Sequence, residues 1–286
     1  MTRRYARRDA IQAMDPGTQS EQIVRLVATY EFPWDVQQAL SFALFRTYAV
    51  PSIGGLLART AELTDHTQKR HDDTVLILDA VLTHGLGSEE GRTAVRRMNH
   101  MHRAYGIPNE DMRYVLATFV VTPVRWITAY GWRGLTDIEL EAHVTYYRAL
   151  GRHLGIRDVP ETYAEFAELL DSYEATCFAY DAGGRAVADA TLRLLRTFPP
   201  YRLLPAPVVR VFAFSILDEH VCRAFRYPRP PRPVVALCRG LLRLRGRVVR
   251  LLPPRRRPVT VSDLSSLRTY PNGYRVEDLG TFPSRT

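Results

Sequence analysis

Ala94-Val95-Arg96-Arg97-Met98-Asn99-His100-Met101-His102-Arg103-Ala104-Tyr105 decides how the rest of this chain is read. At about 100° per residue, Ala94, Val95, Met98, Met101 and Tyr105 fall on one side of a helix. His102 falls among them, whereas Arg96, Arg97, His100 and Arg103 point elsewhere. An imidazole turned into an apolar core needs a partner. A metal or haem iron is one candidate, and a buried hydrogen-bond acceptor is the other. His100 and His102 are two residues apart, which on a helix means ~200°, so they cannot share one metal. Periodicity puts His102 in the core and leaves the nature of its partner open.

Working outward, helix signals dominate. Trp34 to Val50 is rich in helix formers and stops before Pro51; Ile53 to Leu63 follows, with Gly54-Gly55 allowing close helix packing. Arg70 to His84 reads as a short amphipathic helix closed by Gly85, and Ser88-Glu89-Glu90 opens the helix that carries His102. Asn109-Glu110-Asp111 caps the next, which runs towards Tyr130. Thr136 with Glu139, and Thr162 with Glu165, form capping boxes for helices reaching about Leu154 and Tyr180. Gly183-Gly184 punctuates, and Ala186 to Phe198 and Val208 to Phe225 are helical in pattern. Alternating strand patterns and internal repeats are absent, so the predicted fold class is mostly α.

A chain of 286 residues can bury a large core. Its net charge of +9 is unevenly spread: no Asp or Glu occurs from Cys222 to Ser262, a stretch holding twelve Arg. A local basic segment is a weaker sign of nucleic acid than a basic fold and suits an anionic membrane surface equally well. Within it, Pro228 to Pro233 make a stiff connector. Val234 to Leu252 then aligns residues 234, 237, 241, 244, 248 and 252 in an apolar stripe, with Arg239, Arg243, Arg247 and Arg250 opposite. The two readings of this basic amphipathic helix are a face packed on the domain and an interfacial membrane helix. The tail beyond Pro253-Pro254 reads as irregular. Cys177, Cys222 and Cys238 are widely spaced and odd in number, which predicts free thiols in a reducing compartment. With no signal peptide read at the start and no run of ~20 apolar residues, the expected location is cytoplasmic, with peripheral membrane contact through 234–252.

On the Arg70 helix, Ile77, Leu78 and Val81 share the face of Thr74, and Arg70 and His71 lie within about 60° of it. Asp72 and Asp79 point the other way, and Asp73 is lateral. An arginine directed at a core needs an anionic partner, either a structural carboxylate or a bound anionic group. Rival chemistries fare worse. The chain has no His-Glu-x-x-His, no paired Glu-x-x-His, no Gly-x-Ser-x-Gly and no phosphate-binding glycine loop. The adjacent His71-Asp72 are ~100° apart on their helix, unlike a metal-dependent phosphohydrolase site. No nucleic-acid module is recognisable.

Several stretches resemble the haem-dependent oxygenases that include bacterial rubber oxygenases (latex-clearing proteins) and fungal enzymes that cleave a prenyl side chain. Met98 to Ile107 is similar to the segment holding that family's histidine. Asn109-Glu110-Asp111-Met112, Tyr114-Val115-Leu116, Pro123-Val124-Arg125-Trp126, Tyr130-Gly131-Trp132-Arg133, Leu135-Thr136 and Glu139 follow in order. Trp34, Leu40, Tyr48, Pro51, Arg70 and Asp73-Thr74 precede it, and Tyr270-Pro271-Asn272-Gly273-Tyr274 and Leu279-Gly280 close the match, which sits nearer the fungal branch.

The resemblance implies a single globin-like helical domain holding haem b, with O₂ as co-substrate and a lipophilic, prenylated small molecule as substrate. It divides the chain into an N-terminal extension (1–30), a haem-binding oxygenase domain (31–226) and a connector, basic helix and tail (227–286). The family's axial histidine falls on His102, with His100 as the fallback because Arg97-x-x-His100 copies a pattern of rubber oxygenases. The distal Arg and Thr fall on Arg70 and Thr74, and the distal Lys on Asp73. An Asp cannot ligate iron as that Lys can, which leaves the distal position open or water-bound and argues against rubber as substrate. The alternatives are a non-catalytic haem sensor or carrier and a cofactor-free helical scaffold.

Overall fold

The computed structural model describes residues 4–280, with the side chain of position 262 left out, and every regular element among them is helical. The helices are α1 (Ala6–Ile11), α2 (Ser20–Leu26), α3 (Pro33–Thr47), α4 (Pro51–Arg59), α5 (Glu62–Asp65), α6 (Thr67–His84) and α7 (Glu89–Ala104). They continue as α8 (Asn109–Tyr130), α9 (Asp137–His153), α10 (Tyr163–Cys177), α11 (Ala182–Leu195), α12 (Ala206–Ile216), α13 (Glu219–Ala224) and α14 (Arg232–Leu251). The mostly α expectation holds, and several boundaries follow from capping chemistry. Ser88 Oγ accepts from Gly91 N at 2.9 Å to start α7. Thr136 and Glu139 form the reciprocal capping box of α9.

The sequence reading is corrected in three places, the first being Val208 to Phe225, which breaks at Leu217-Asp218 into α12 and α13. Ile53 to Leu63 is not one helix: α4 ends at Arg59, and Ala61 takes a left-handed φ of 57° before α5. Gly183-Gly184 does not separate helices but lies inside α11, whose cap is Asp181. A Cβ on Gly184 would sit 2.3 Å from the Tyr48 carbonyl, and one on Gly54 of α4 would meet Gly184 Cα at 2.7 Å. These glycines let two helix backbones touch, a use of glycine that looks like a break in sequence.

The chain forms two compact units. The first comprises Met1–Leu44, Arg113–Ser172 and Pro231–Thr260. Its apolar core joins Ile11, Ile23, Val27 and Phe32 to Ile127, Trp132 and Ala142, so residues before position 31 supply core side chains. Arg133 bridges two buried carboxylates, Glu139 at 2.6 Å and Glu31 at 2.9 Å. His143 is buried with Nε2 donating to the Val120 carbonyl at 3.0 Å. Burial lowers its pKa to about 4, although carbonyl acceptors at Val120 and Phe119 favour the charged form.

That depression has a testable sign. Above pH ~6.5 the imidazole is neutral in folded and unfolded chains alike. Between there and about pH 4 the unfolded chain takes up a proton that the folded one refuses. Stability should therefore fall as pH drops through this window and level off below it. His143→Gln keeps a donor and cannot titrate. It should remove roughly 3 kcal/mol of that loss, read as the difference between the two proteins' urea-unfolding free energies across the window.

The second unit comprises Phe45–Met112, Tyr173–Pro230 and Val261–Thr286. Within it, α4 packs on α11 and α6 packs on α7. The predicted irregular tail is irregular through Gly280, apart from two short 3₁₀ turns, and is anchored where Ser266 and Leu279 are buried. It runs as a strap over α6 and α7. Asp72 of α6 accepts the backbone amides of Arg268 and Thr269 at 3.0 and 2.9 Å, and Arg97 of α7 donates to the Leu279 carbonyl.

Candidate functional site

The residues singled out by sequence lie on α6 and α7, both in the second unit. The α7 periodicity holds over most of the helix: Ala94, Val95, Met98 and Met101 are buried and His100 is exposed, whereas the residue His102 is half-buried and Tyr105, the C-cap past the end of α7, is half-buried too. His102 sits in the last turn of α7, where the helix dipole alone would favour a protonated imidazole. Burial dominates instead. Together with the positive charge of Arg70, it lowers the His102 pKa to about 4, so the ring is neutral at physiological pH. His102 Nδ1 is sealed from solvent and has no hydrogen-bond partner. Such an atom typically costs about 1–3 kcal/mol. No acceptor among the described residues meets that nitrogen, as one would for an ordinary core histidine.

Arg70, in the first turn of α6, donates through Nη1 to Thr74 Oγ1 at 2.6 Å, and that hydroxyl donates back to the Arg70 carbonyl at 2.9 Å. The i, i+4 spacing makes this closed local arrangement possible. The guanidinium acts electrostatically on three neighbours, lowering the pKa values of His102, Tyr48 and Tyr105 against the effect of burial on the two tyrosines. The anionic partner expected for Arg70 is missing: no carboxylate among the described residues forms an ion pair with it. Thr74 holds the side chain without neutralising it.

Asp73 takes no part in this arrangement. It is fully buried, with Oδ2 accepting from Lys69 Nζ at 2.7 Å and Oδ1 accepting from the Tyr270 hydroxyl. One oxygen is spent within α6 on Lys69, and the other ties α6 to the strap through Tyr270. The neighbouring Asp72 does the same, accepting from Gln68, Thr269 and the two strap amides, with His71 Nδ1 2.9 Å from its Oδ1. Tyr48, just past the end of α3, is a member of the site that periodicity could not assign; only its place in the quoted resemblance marked it.

No cluster of three or more His, Cys, Asp or Glu able to hold a metal ion occurs among the described residues. A lone imidazole is the donor set suited to haem, which brings four nitrogens of its own and needs one from the protein. The neutral ring, its unpartnered nitrogen and the uncompensated guanidinium nearby fit that group. No single helix among the described residues is long and apolar enough to cross a membrane.

Comparison with known proteins bears on the whole arrangement. The family described as "ER-bound oxygenase mpaB/B'/Rubber oxygenase, catalytic domain" matches residues 36–251. The ER-bound oxygenase mpaB' of Penicillium brevicompactum is 31% identical over 263 residues, covering 85% of this chain and 62% of that protein. The chain thus spans under two thirds of that relative's length. The ER-bound oxygenase mpaB of Penicillium roqueforti (strain FM164) is 32% identical over 225 residues, covering 72% of this chain and 74% of its own. Among solved structures, latex clearing protein LCP in the closed state superposes with a TM-score of 0.67 over 89% of this chain and 74% of that one. At 15% identity it bears on fold alone. With the family's catalytic domain spanning 36–251 and relatives above 30% identity, the chain belongs to the mpaB/rubber oxygenase family.

Proposed function

We propose that this chain is a b-haem oxygenase that uses O₂ to cleave or oxidise a carbon–carbon double bond in a lipophilic, prenylated small molecule. The observation that carries the proposal is His102: a neutral imidazole with one sealed, unpartnered nitrogen, within the electrostatic reach of Arg70, a cation that no carboxylate among the described residues neutralises. When bound, the haem would supply the redox chemistry that activates dioxygen.

The chain's own residues would do the rest. His102 would hold the iron, and its low proton affinity keeps the ring available as a donor well below neutral pH. Arg70 would stabilise negative charge developing on the reacting oxygen or pair with a carboxylate of the cofactor; a cation with no counter-charge among the described residues suits either role. Thr74 fixes the Arg70 head group by its 2.6 Å hydrogen bond. Asp73, with both oxygens engaged by Lys69 and Tyr270, has a positioning role through the strap in place of a ligand role.

The decisive experiment is an absorption spectrum with a pyridine haemochrome assay, on protein expressed with ample haem. A Soret band and b-type haemochrome are expected, followed by oxygen uptake dependent on a prenylated test alkene. Absence of the band removes the haem reading. A band without alkene-dependent uptake makes the protein a haem carrier or sensor.

A further inference from the structure

The apolar stripe of α14 faces outward. Leu237, Leu241, Leu244 and Val248 are each about half exposed or more, and Leu251 is 85% exposed. They lie within roughly 80° of one another around the helix, one row along its length. Large apolar side chains gathered in a row mark an interaction surface, unlike the scattered ones found on any protein.

Two contacts on adjoining faces fix the helix in this rotation. Arg245 Nη1 donates to both oxygens of Asp35 at 2.6 and 2.7 Å, with its guanidinium 4.1 Å from the centre of the Trp34 ring. Gly246 is buried where a Cβ would meet the Tyr130 and Gly131 carbonyls at 2.5 and 2.9 Å. Leu242 is buried beside them. All these groups lie in the first unit. The stripe cannot turn inward without breaking this part-buried ion pair and driving a larger residue into that backbone contact.

The charge around the stripe selects its occupant. Arg247 lies next to it, and Arg243 and Arg250 are exposed further round. The segment from Cys222 to Ser262 carries twelve arginines and no acidic residue of its own. A second copy presenting the same face would bring like charges together. A surface that is apolar in depth and anionic at its rim matches both features. We infer that α14 lies flat on an anionic lipid bilayer, its stripe at the acyl boundary and its arginines among the headgroups. This docking rests on the helix surface alone and is independent of the haem reading. It would hold the protein where lipophilic substrates partition.

Vesicle flotation of the full chain tests it, with phosphatidylcholine vesicles alone or mixed with phosphatidylserine. The wild type should float with the mixed vesicles and release as salt is raised. The stripe variant Leu237→Gln/Leu241→Gln/Leu244→Gln/Val248→Gln should bind at least roughly tenfold more weakly to both compositions while keeping the wild-type Tm, since these side chains are already solvated. Arg243→Gln/Arg247→Gln/Arg250→Gln should lose only the preference for phosphatidylserine. A stripe variant that floats like wild type overturns the inference. So does a wild type that ignores vesicles but is dimeric by light scattering, with the stripe variant monomeric: the occupant is then a second copy.

Discussion

His102→Ala should lose the Soret band completely, and His100→Ala should keep it. The two residues share a helix, a residue type and a sequence neighbourhood, and differ in environment. His100 is solvent-exposed, whereas His102 has a sealed nitrogen without a partner. The variants therefore separate axial ligation from general disturbance of α7. Stability of the haem-free proteins gives a second readout. If His102 served only to support the fold, its removal would cost stability with or without cofactor. In the structure its Nδ1 has an unmet hydrogen bond worth about 1–3 kcal/mol against folding, so removal trades a small cavity for relief of that cost. Haem-free His102→Ala should then unfold within about 1 kcal/mol of haem-free wild type, while the holo-protein's extra stability vanishes. Loss of haem in His100→Ala with retention in His102→Ala would reverse the assignment. A large fall in haem-free stability would make His102 structural.

His102 was legible because its signal is local. One helix and a 3.6-residue period place it beside Ala94, Val95, Met98 and Met101, which are buried, and its Nδ1 is sealed from solvent with them. Arg70 and Thr74 were legible for the same reason, since an i, i+4 pair meets within one helix. What the period could not show was the neighbour beyond the helix. Asp72 falls opposite the Thr74 face, which on a two-sided helix means solvent; here that side is covered by chain nearly 200 residues later, and Asp72 is fully buried. Asp73 resembled a substituted iron ligand in sequence, and only the position of Tyr270 shows where its carboxylate is spent. Gly184 carried the opposite ambiguity: a glycine pair reads as a break, and the close approach to Gly54 becomes visible only when α4 and α11 are side by side. The α14 stripe was read correctly as a stripe. Which way it faced depended on Arg245 and Gly246, whose partners Asp35, Tyr130 and Gly131 lie at least a hundred residues away in sequence.

Asp72→Ala should be among the most damaging single changes in the chain, and its damage should be local to the strap. Burial alone would raise the Asp72 pKa; hydrogen bonds from His71, Thr269 and the strap amides outweigh it and hold the carboxyl at about 2. The sign follows from that depression. The group stabilises the fold fully above its ordinary pKa near 3.8, and the contribution is lost as pH falls towards about 2. At neutral pH the alanine variant strands the Arg268 and Thr269 amides and the Thr269 hydroxyl, all of which now donate to one carboxylate. Leaving several such donors unmet costs about 3–5 kcal/mol when they stay enclosed. The chain avoids that cost by releasing the strap, which exposes Leu279 and uncovers the sides of α6 and α7 it packs on. Limited trypsin digestion should therefore cut Asp72→Ala at Arg268 or Arg275 well before any cut in α9, with cofactor retention falling in parallel. Asp72→Asn, which keeps an acceptor oxygen, should fall between the variant and wild type. Equal cleavage of Asp72→Ala and wild type at Arg268 would mean that Asp73, Ser266 and Leu279 hold the strap without Asp72.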